Sequence, residues 1–173
     1  MTELFKFHTQ IRIRFHETDA QGHVNFGHYL FYFDVALTDY LRSIGYSYQH
    51  MLADGVDMLY AGTRTRYLSA AYFDEVLNIH VRIGHIGNSS VRFEFQVFAE
   101  RDGRAVAEGE ITVVMVAHGE RCKIPVPAWL RQAAGRFEGG ESISAPVSRT
   151  APNVRMAEEP SLYPMKPYGF CGG

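Results

Sequence analysis

Hydrophobic and polar residues change their spacing repeatedly along this chain, and each change marks an element. Near the start, Ile11, Ile13 and Phe15 alternate with Gln10, Arg12, Arg14 and His16, the period of a half-buried strand. A polar knot follows, His16-Glu17-Thr18-Asp19-Ala20-Gln21-Gly22-His23, where the chain must turn. Then Phe26, Tyr29, Leu30, Phe33, Leu37, Tyr40, Leu41 and Ile44 fall at the three-and-four spacing of one helix stripe, and Gly45 stands where a terminating glycine belongs. The first half of that helix, Tyr29-Leu30-Phe31-Tyr32-Phe33 followed by Val35, Ala36 and Leu37, is apolar nearly all round. Such a helix is expected to be enclosed by other structure.

Downstream, residues 47–54 read as a short helical turn, 58–68 as a long strand and 69–74 as the turn after it. Leu77, Ile79, Val81 and Ile83 alternate with Asn78, His80 and Arg82, and Val91, Phe93, Phe95, Val97 and Ala99 alternate with polar neighbours. Asp102-Gly103 is a hairpin signal, and a last strand is predicted over about 105–117 with Ile111, Val113 and Met115 on one side and Gly109 as a bulge. One strand, one long helix and four hairpin-linked strands make an α+β pattern, an antiparallel sheet wrapped around a helix. Pro125 and Pro127 end the sheet, and 128–134 reads as a short helix with proline at its start. The expected domain is 1–134. Residues 135–173 carry Gly139-Gly140, Pro146, Pro152, Pro160, Pro164 and Pro167 and no periodicity, and read as a Pro/Gly-rich tail without a core of its own.

Composition narrows the function classes. The net charge is −2, from 17 basic and 19 acidic residues with no run of either sign, so neither nucleic acid nor an anionic membrane is expected as a partner. No stretch has the length of a membrane span, and the first residues lack a signal-like apolar run. A cytoplasmic protein is expected. Cys122 and Cys171 lack C-x-x-C spacing and read as free thiols. His16, Asp19, His23 and His28 match no compact metal motif, so no metal or other cofactor is expected. There is no G-x-S-x-G elbow to present a serine nucleophile.

The knot is where chemistry concentrates. It places carboxylates a few residues before a helix N-terminus, whose unpaired N–H groups carry the positive dipole end. A base or nucleophile facing fixed oxyanion donors is what acyl transfer requires. Asp19 is the candidate, with turn capping as its competing role. His23 reads either as solvated or as a partner of water or substrate. Asn25 reads as the helix N-cap, with substrate contact as the second role. His28 lies one turn into the helix as a possible site residue, and Tyr29 serves either the core or an acyl clamp.

The string Phe15-His16-Glu17-Thr18-Asp19-Ala20-Gln21-Gly22-His23-Val24-Asn25, followed by Tyr29 and Phe33, resembles the D-x-D-x-x-G-x-V region of the 4-hydroxybenzoyl-CoA thioesterase family, within the hotdog-fold acyl-CoA thioesterases. Tyr67-Leu68-Ser69-Ala70-Ala71-Tyr72-Phe73-Asp74-Glu75-Val76-Leu77 resembles that family's second block. The resemblance covers about residues 8–134. It implies a hotdog fold, a homodimer or homotetramer with the thioester at a subunit interface, and an acyl-CoA or acyl-carrier-protein substrate. It further implies that Asp19 is the nucleophile or general base and that the Phe26 backbone N–H is the oxyanion donor. Arg64 and Arg66, on one strand face, would meet the phosphates of coenzyme A or only solvent. The chain departs from the pattern at Glu17, an aspartate in relatives, and at His28, where relatives carry a small or amide side chain. Two other readings attach to the fold: an enoyl-thioester hydratase or dehydratase, against which the Asp19–His23 spacing counts, and a non-catalytic acyl-CoA sensor.

Overall fold

The computed structural model describes residues 4–139. Five strands form one antiparallel sheet: β1 (Phe7–Arg12), β2 (Val56–Tyr67), β3 (Val76–Ile86), β4 (Ser90–Ala99) and β5 (Ala105–Ala117), in the order β1-β3-β4-β5-β2. Helix α1 (His28–Ser43) lies on the inner face, α2 (Tyr48–Ala53) follows it, and α3 (Ala128–Glu138) closes the described region. The alternation read from the sequence sets which face is inner. Leu77, Ile79, Val81 and Ile83 of β3, Val91, Phe93, Phe95 and Val97 of β4, and Ile111, Val113 and Met115 of β5 are all buried. They meet Tyr29, Tyr32, Phe33, Ala36, Leu37, Tyr40 and Leu41 of α1, so sheet and helix stripe share one core. This is the hotdog arrangement.

Two close contacts fix how the helix seats. Phe33 stacks on Phe95 with ring centroids 4.5 Å apart. Gly109 leaves room for that ring, since a Cβ there would stand 2.5 Å from Phe33 Cε2 and 2.9 Å from the Arg64 carbonyl oxygen. Gly109 is therefore a close-approach position, not the expected bulge. It pairs in register with Thr65 and Phe95, and the ladder shifts fall at Tyr60/Gly62, Ile83/His85 and Val97/Phe98. Helix α1 ends as expected: Gly45 takes φ +95°, its N–H donates to Arg42 O (3.0 Å), and the Tyr46 N–H reaches back to Leu41 O (2.9 Å), the paired bonds of a Schellman motif.

Several expectations are corrected. The first strand starts earlier and ends at Arg12, because its partner β3 begins at Val76. Residues Phe15–Glu17 then form a 3-10 turn, which leaves Phe15 exposed. Helix α1 begins at His28, with Gly27 and not Asn25 at the N-cap. The described residues do not enclose the helix, since Leu30, Phe31 and Val35 are exposed. Helix α3 runs through Gly135 to Glu138, whose buried carboxylate accepts from Tyr40 Oη (2.5 Å) and the Ile83 N–H (3.2 Å). Residues 140–173 of the expected tail lie outside the described residues. Cys122 is disulfide-bonded, so the free thiol expected there is not found.

Candidate active site

The polar knot folds into a tight, locally hydrogen-bonded turn. Thr18 and Val24 pair as an antiparallel bridge, the Asp19 N–H donates to His23 O (3.0 Å), and the Gly22 N–H donates to Asp19 O (2.9 Å). Gly22 adopts φ +82°, a conformation that favours glycine. The Asp19 carboxylate does two things at once. Its Oδ1 accepts the Gln21 N–H at 2.8 Å, which is the capping role, while Oδ2 lies 3.9 Å from His23 Nδ1. The capping bond fixes the orientation of the carboxylate and leaves its second oxygen available.

The turn is held from both sides. On one side Glu17 is buried, and its carboxylate accepts the Arg14 N–H (2.7 Å), the Tyr32 hydroxyl (2.8 Å) and the Arg14 guanidinium (3.3 Å). Burial pushes this carboxyl up, but those donors outweigh it and hold it below the ordinary value. Burial and the Glu17 partner push the Tyr32 hydroxyl well up, so it remains a donor. The Glu17 carbonyl also accepts the Asn25 N–H at 2.9 Å. The first acid of the motif is thus a structural anchor between the 3-10 turn and α1. On the other side the Val24 N–H donates to Ala71 O (2.8 Å) and His23 pairs with Tyr72. The 69–75 loop is itself clamped. Arg104 donates to both Glu75 oxygens (2.9 and 3.1 Å), to Ser69 Oγ (3.1 Å) and to the Ala70 carbonyl.

Asp19, His23, Phe26 and Tyr29 line one cleft of ≈ 370 Å³, together with Gln21, Val24 and residues 67–70. Among the described residues no hydrogen bond takes the Phe26 N–H. The Phe26 carbonyl accepts the Tyr67 hydroxyl at 3.0 Å, which fixes the peptide just before α1. Tyr29 and Tyr67 meet edge-on with centroids 5.3 Å apart, and burial together with Tyr67 pushes the Tyr29 hydroxyl up to about 12. The cleft therefore brings together the Asp19 carboxylate, two tyrosine rings and Phe26, a residue just before the helix whose N–H no described residue engages.

The other sequence candidates lie elsewhere. Asn25 uses its side-chain oxygen to accept the Gly27 N–H (2.9 Å) and its carbonyl to accept the His28 N–H (3.0 Å), so it shapes the entry to the helix. His28 packs against His16 (6.2 Å) and Phe31 (5.8 Å), away from the cleft. Neither His16 nor His28 lines the cleft that Asp19 and His23 share. Arg64 and Arg66 line a different cleft with Arg82, Glu94 and Glu108, and Arg66 pairs with Glu108 at 2.7 Å. The site role of Tyr67, Leu68, Ser69 and Ala70 was not assigned from sequence, although they open the second family block. Ser69 Oγ donates to Ala105 O at 2.7 Å and is occupied structurally.

The chain is similar to known proteins in both sequence and fold. The sequence profile of the Thioesterase-like superfamily matches residues 13–134. A protein of Aquifex aeolicus named as an esterase is 32% identical over 114 residues, covering 66% of this chain and 88% of that protein. An acyl-CoA thioester hydrolase of Escherichia coli O157:H7 is 28% identical over 115 residues, covering 66% of this chain and 84% of that protein. Among solved structures, a hypothetical protein from Aquifex aeolicus superposes with a TM-score of 0.69 at 28% identity, covering 74% of this chain and 98% of that one.

Proposed function

We propose, from the premise that the chain belongs to the Thioesterase-like superfamily and is a thioester hydrolase of the hotdog fold, that it cleaves an acyl-CoA thioester with Asp19 as the reacting carboxylate. The observation that supports this reading is the shared cleft: Asp19, His23 and Phe26, whose N–H no described residue engages, line one opening beside the start of α1. Asp19 Oδ2 attacks the thioester carbonyl or takes a proton from water that does so. The Phe26 N–H receives the charge that develops on the carbonyl oxygen, an interaction whose loss typically costs roughly 3 to 4 kcal/mol. His23, 3.9 Å from Asp19 Oδ2, orders water beside it. Collapse of the tetrahedral intermediate expels the coenzyme A thiolate, which takes up a proton; where Asp19 is the attacking group, water then hydrolyses the anhydride left on it, releasing the free acid and restoring the carboxylate. Tyr29 and Tyr67 form an aromatic wall for the acyl group, which favours the aromatic substrates of the 4-hydroxybenzoyl-CoA family over long aliphatic chains.

The reading includes a homodimer. β2 is an edge strand of 12 residues, and positions 59–64 are exposed on both faces. An edge this long and uncovered invites strand pairing with a second copy, which would bring a second chain beside Tyr67 and the cleft. The chain acts in the cytoplasm in this reading; none of the described helices is long and apolar enough to cross a membrane.

The test is thiol release from a panel of aromatic, short, medium and long acyl-CoAs. Hydrolysis of at least one member is expected, with a fall of about 10²–10⁴-fold in a folded Asp19→Asn variant. Turnover unchanged by that substitution refutes the assignment of Asp19. Tight binding without turnover by the parent protein refutes hydrolysis of these substrates and favours the sensor reading.

A further inference from the structure

Tyr67 is placed at the cleft by contacts that do not depend on the Asp19 turn. It ends β2 in register with Ala107 of β5, and just after it the Leu68 and Ser69 N–H groups both donate to Val106 O (2.8 and 3.2 Å). Ser69 Oγ donates to Ala105 O at 2.7 Å, and Arg104 grips Ser69 Oγ and the Ala70 carbonyl beside it. The sheet therefore supplies a fixed base, from which the Tyr67 hydroxyl reaches across 41 positions of sequence to the Phe26 carbonyl.

Phe26 sits between two peptide units that carry four polar groups. In the first unit the Asn25 carbonyl accepts the His28 N–H (3.0 Å). In the second the Gly27 N–H donates to Asn25 Oδ1 (2.9 Å) and the Phe26 carbonyl accepts the Tyr67 hydroxyl (3.0 Å). The fourth group is the Phe26 N–H, which no described residue engages. Of the three bonds made, only that from Tyr67 comes from outside segment 25–28. Without the hydroxyl the second unit is held from within the segment alone. Tyr67 is 48% exposed, so it can lose that oxygen without unpacking the core.

We propose that Tyr67 is a positioning residue for the thioester hydrolysis: its hydroxyl, acting through the Phe26 carbonyl, keeps the Phe26 N–H aimed at the carbonyl oxygen of the substrate. The inference rests on the reading of Phe26 as the oxyanion donor. Ring and hydroxyl then have separate effects. The ring walls the acyl group in the ground state and the transition state alike, so its loss weakens binding; the hydroxyl acts where charge develops, so its loss lowers kcat at unchanged binding. Aim matters because an oxyanion donor works at about 2.7–3.1 Å from the place the charged oxygen will take.

The test compares Tyr67→Phe and Tyr67→Leu with the parent and Asp19→Asn on the acyl-CoA that the parent hydrolyses fastest. The matching S-alkyl thioether of coenzyme A, which has no carbonyl and cannot be hydrolysed, is titrated by calorimetry to count competent sites and measure ground-state binding. Tyr67→Phe is expected to bind it with the parent's stoichiometry and affinity while kcat falls about 10- to 100-fold, the cost of a displacement of up to about 1 Å. Tyr67→Leu is expected to lose affinity as well, which separates the ring from the hydroxyl. A merely structural role lowers stoichiometry or affinity in Tyr67→Phe together with kcat, and that result overturns the proposal. Turnover lost in Asp19→Asn but unchanged in Tyr67→Phe overturns it while the thioesterase reading stands; a parent that hydrolyses no member of the panel overturns both.

Discussion

Replacing Tyr32 by phenylalanine removes one oxygen atom and tests whether Glu17 anchors the turn that carries Asp19. The Tyr32 hydroxyl is buried and donates to Glu17 Oε2 at 2.8 Å. Without it the buried carboxylate keeps only the Arg14 N–H and the Arg14 guanidinium. A hydrogen bond to a charged group contributes about 1.5–3 kcal/mol, and leaving a buried acceptor short of a donor sits at the upper part of that range. At this chain length about 1 kcal/mol moves the melting temperature by roughly 2–4 °C, so a fall of about 4–12 °C at pH 7 is expected by circular dichroism. The pH dependence gives a second check. Because the folded-state carboxyl of Glu17 is held below its ordinary 4.5, its stabilisation is present above that value and is lost as pH falls through the folded-state titration. Phenylalanine at position 32 weakens that hold, so the gap between parent and variant should narrow as pH drops below about 4.5. A melting temperature within 1 °C of the parent at pH 7, or a gap that stays constant into acid, refutes the anchor.

Two further outcomes follow from the packing. Gly109→Ala puts a Cβ within 3 Å of the Phe33 ring and the Arg64 carbonyl; overpacking of this kind costs about 1–3 kcal/mol, and a denaturant midpoint unchanged from the parent refutes the close fit. His80 lies between Phe5, Phe98 and His8, and burial first, then His8, lowers its pKa below 6.5. The unfolded chain therefore binds the proton more readily, so stability is fully present above 6.5 and is lost as pH falls below it. Melting temperatures between pH 7.5 and 5.5 should fall more steeply for the parent than for His80→Gln, and parallel curves refute the assignment.

The elements legible in the sequence were those whose burial is decided inside one chain. Leu77 to Ile83 and Val91 to Ala99 alternate because one face meets α1 and the other does not, and every inward position proved buried. The first strand was misplaced because alternation alone does not report where a partner strand ends: Phe15 keeps the period, but β3 has already begun at Val76. Gly109 looks like a bulge in the sequence because a missing side chain is visible there and the Phe33 ring that fills its place is not. The cleft was legible in part. Asp19, His23, Phe26 and Tyr29 are local to one turn and one helix start, and they line one opening. Tyr67 to Ala70 reach it only through the β2–β5 pairing and the Arg104 clamp, contacts between positions far apart in sequence.

The helix itself carries the remaining lesson. An all-round apolar first half means enclosure, and α1 is enclosed on the side that faces the sheet while Phe31 and Val35 stand open. Its open positions fall in two directions. Asp34 on α1 bonds the Tyr60 hydroxyl of edge strand β2, while Phe31 and Val35 face the β1 side with Phe15 and Phe73. An apolar pattern says how much apolar surface a helix carries, not what covers each side of it. The periodicity of α1 settles only its sheet-facing stripe; that Leu30, Phe31 and Val35 stand open is legible only in the folded structure.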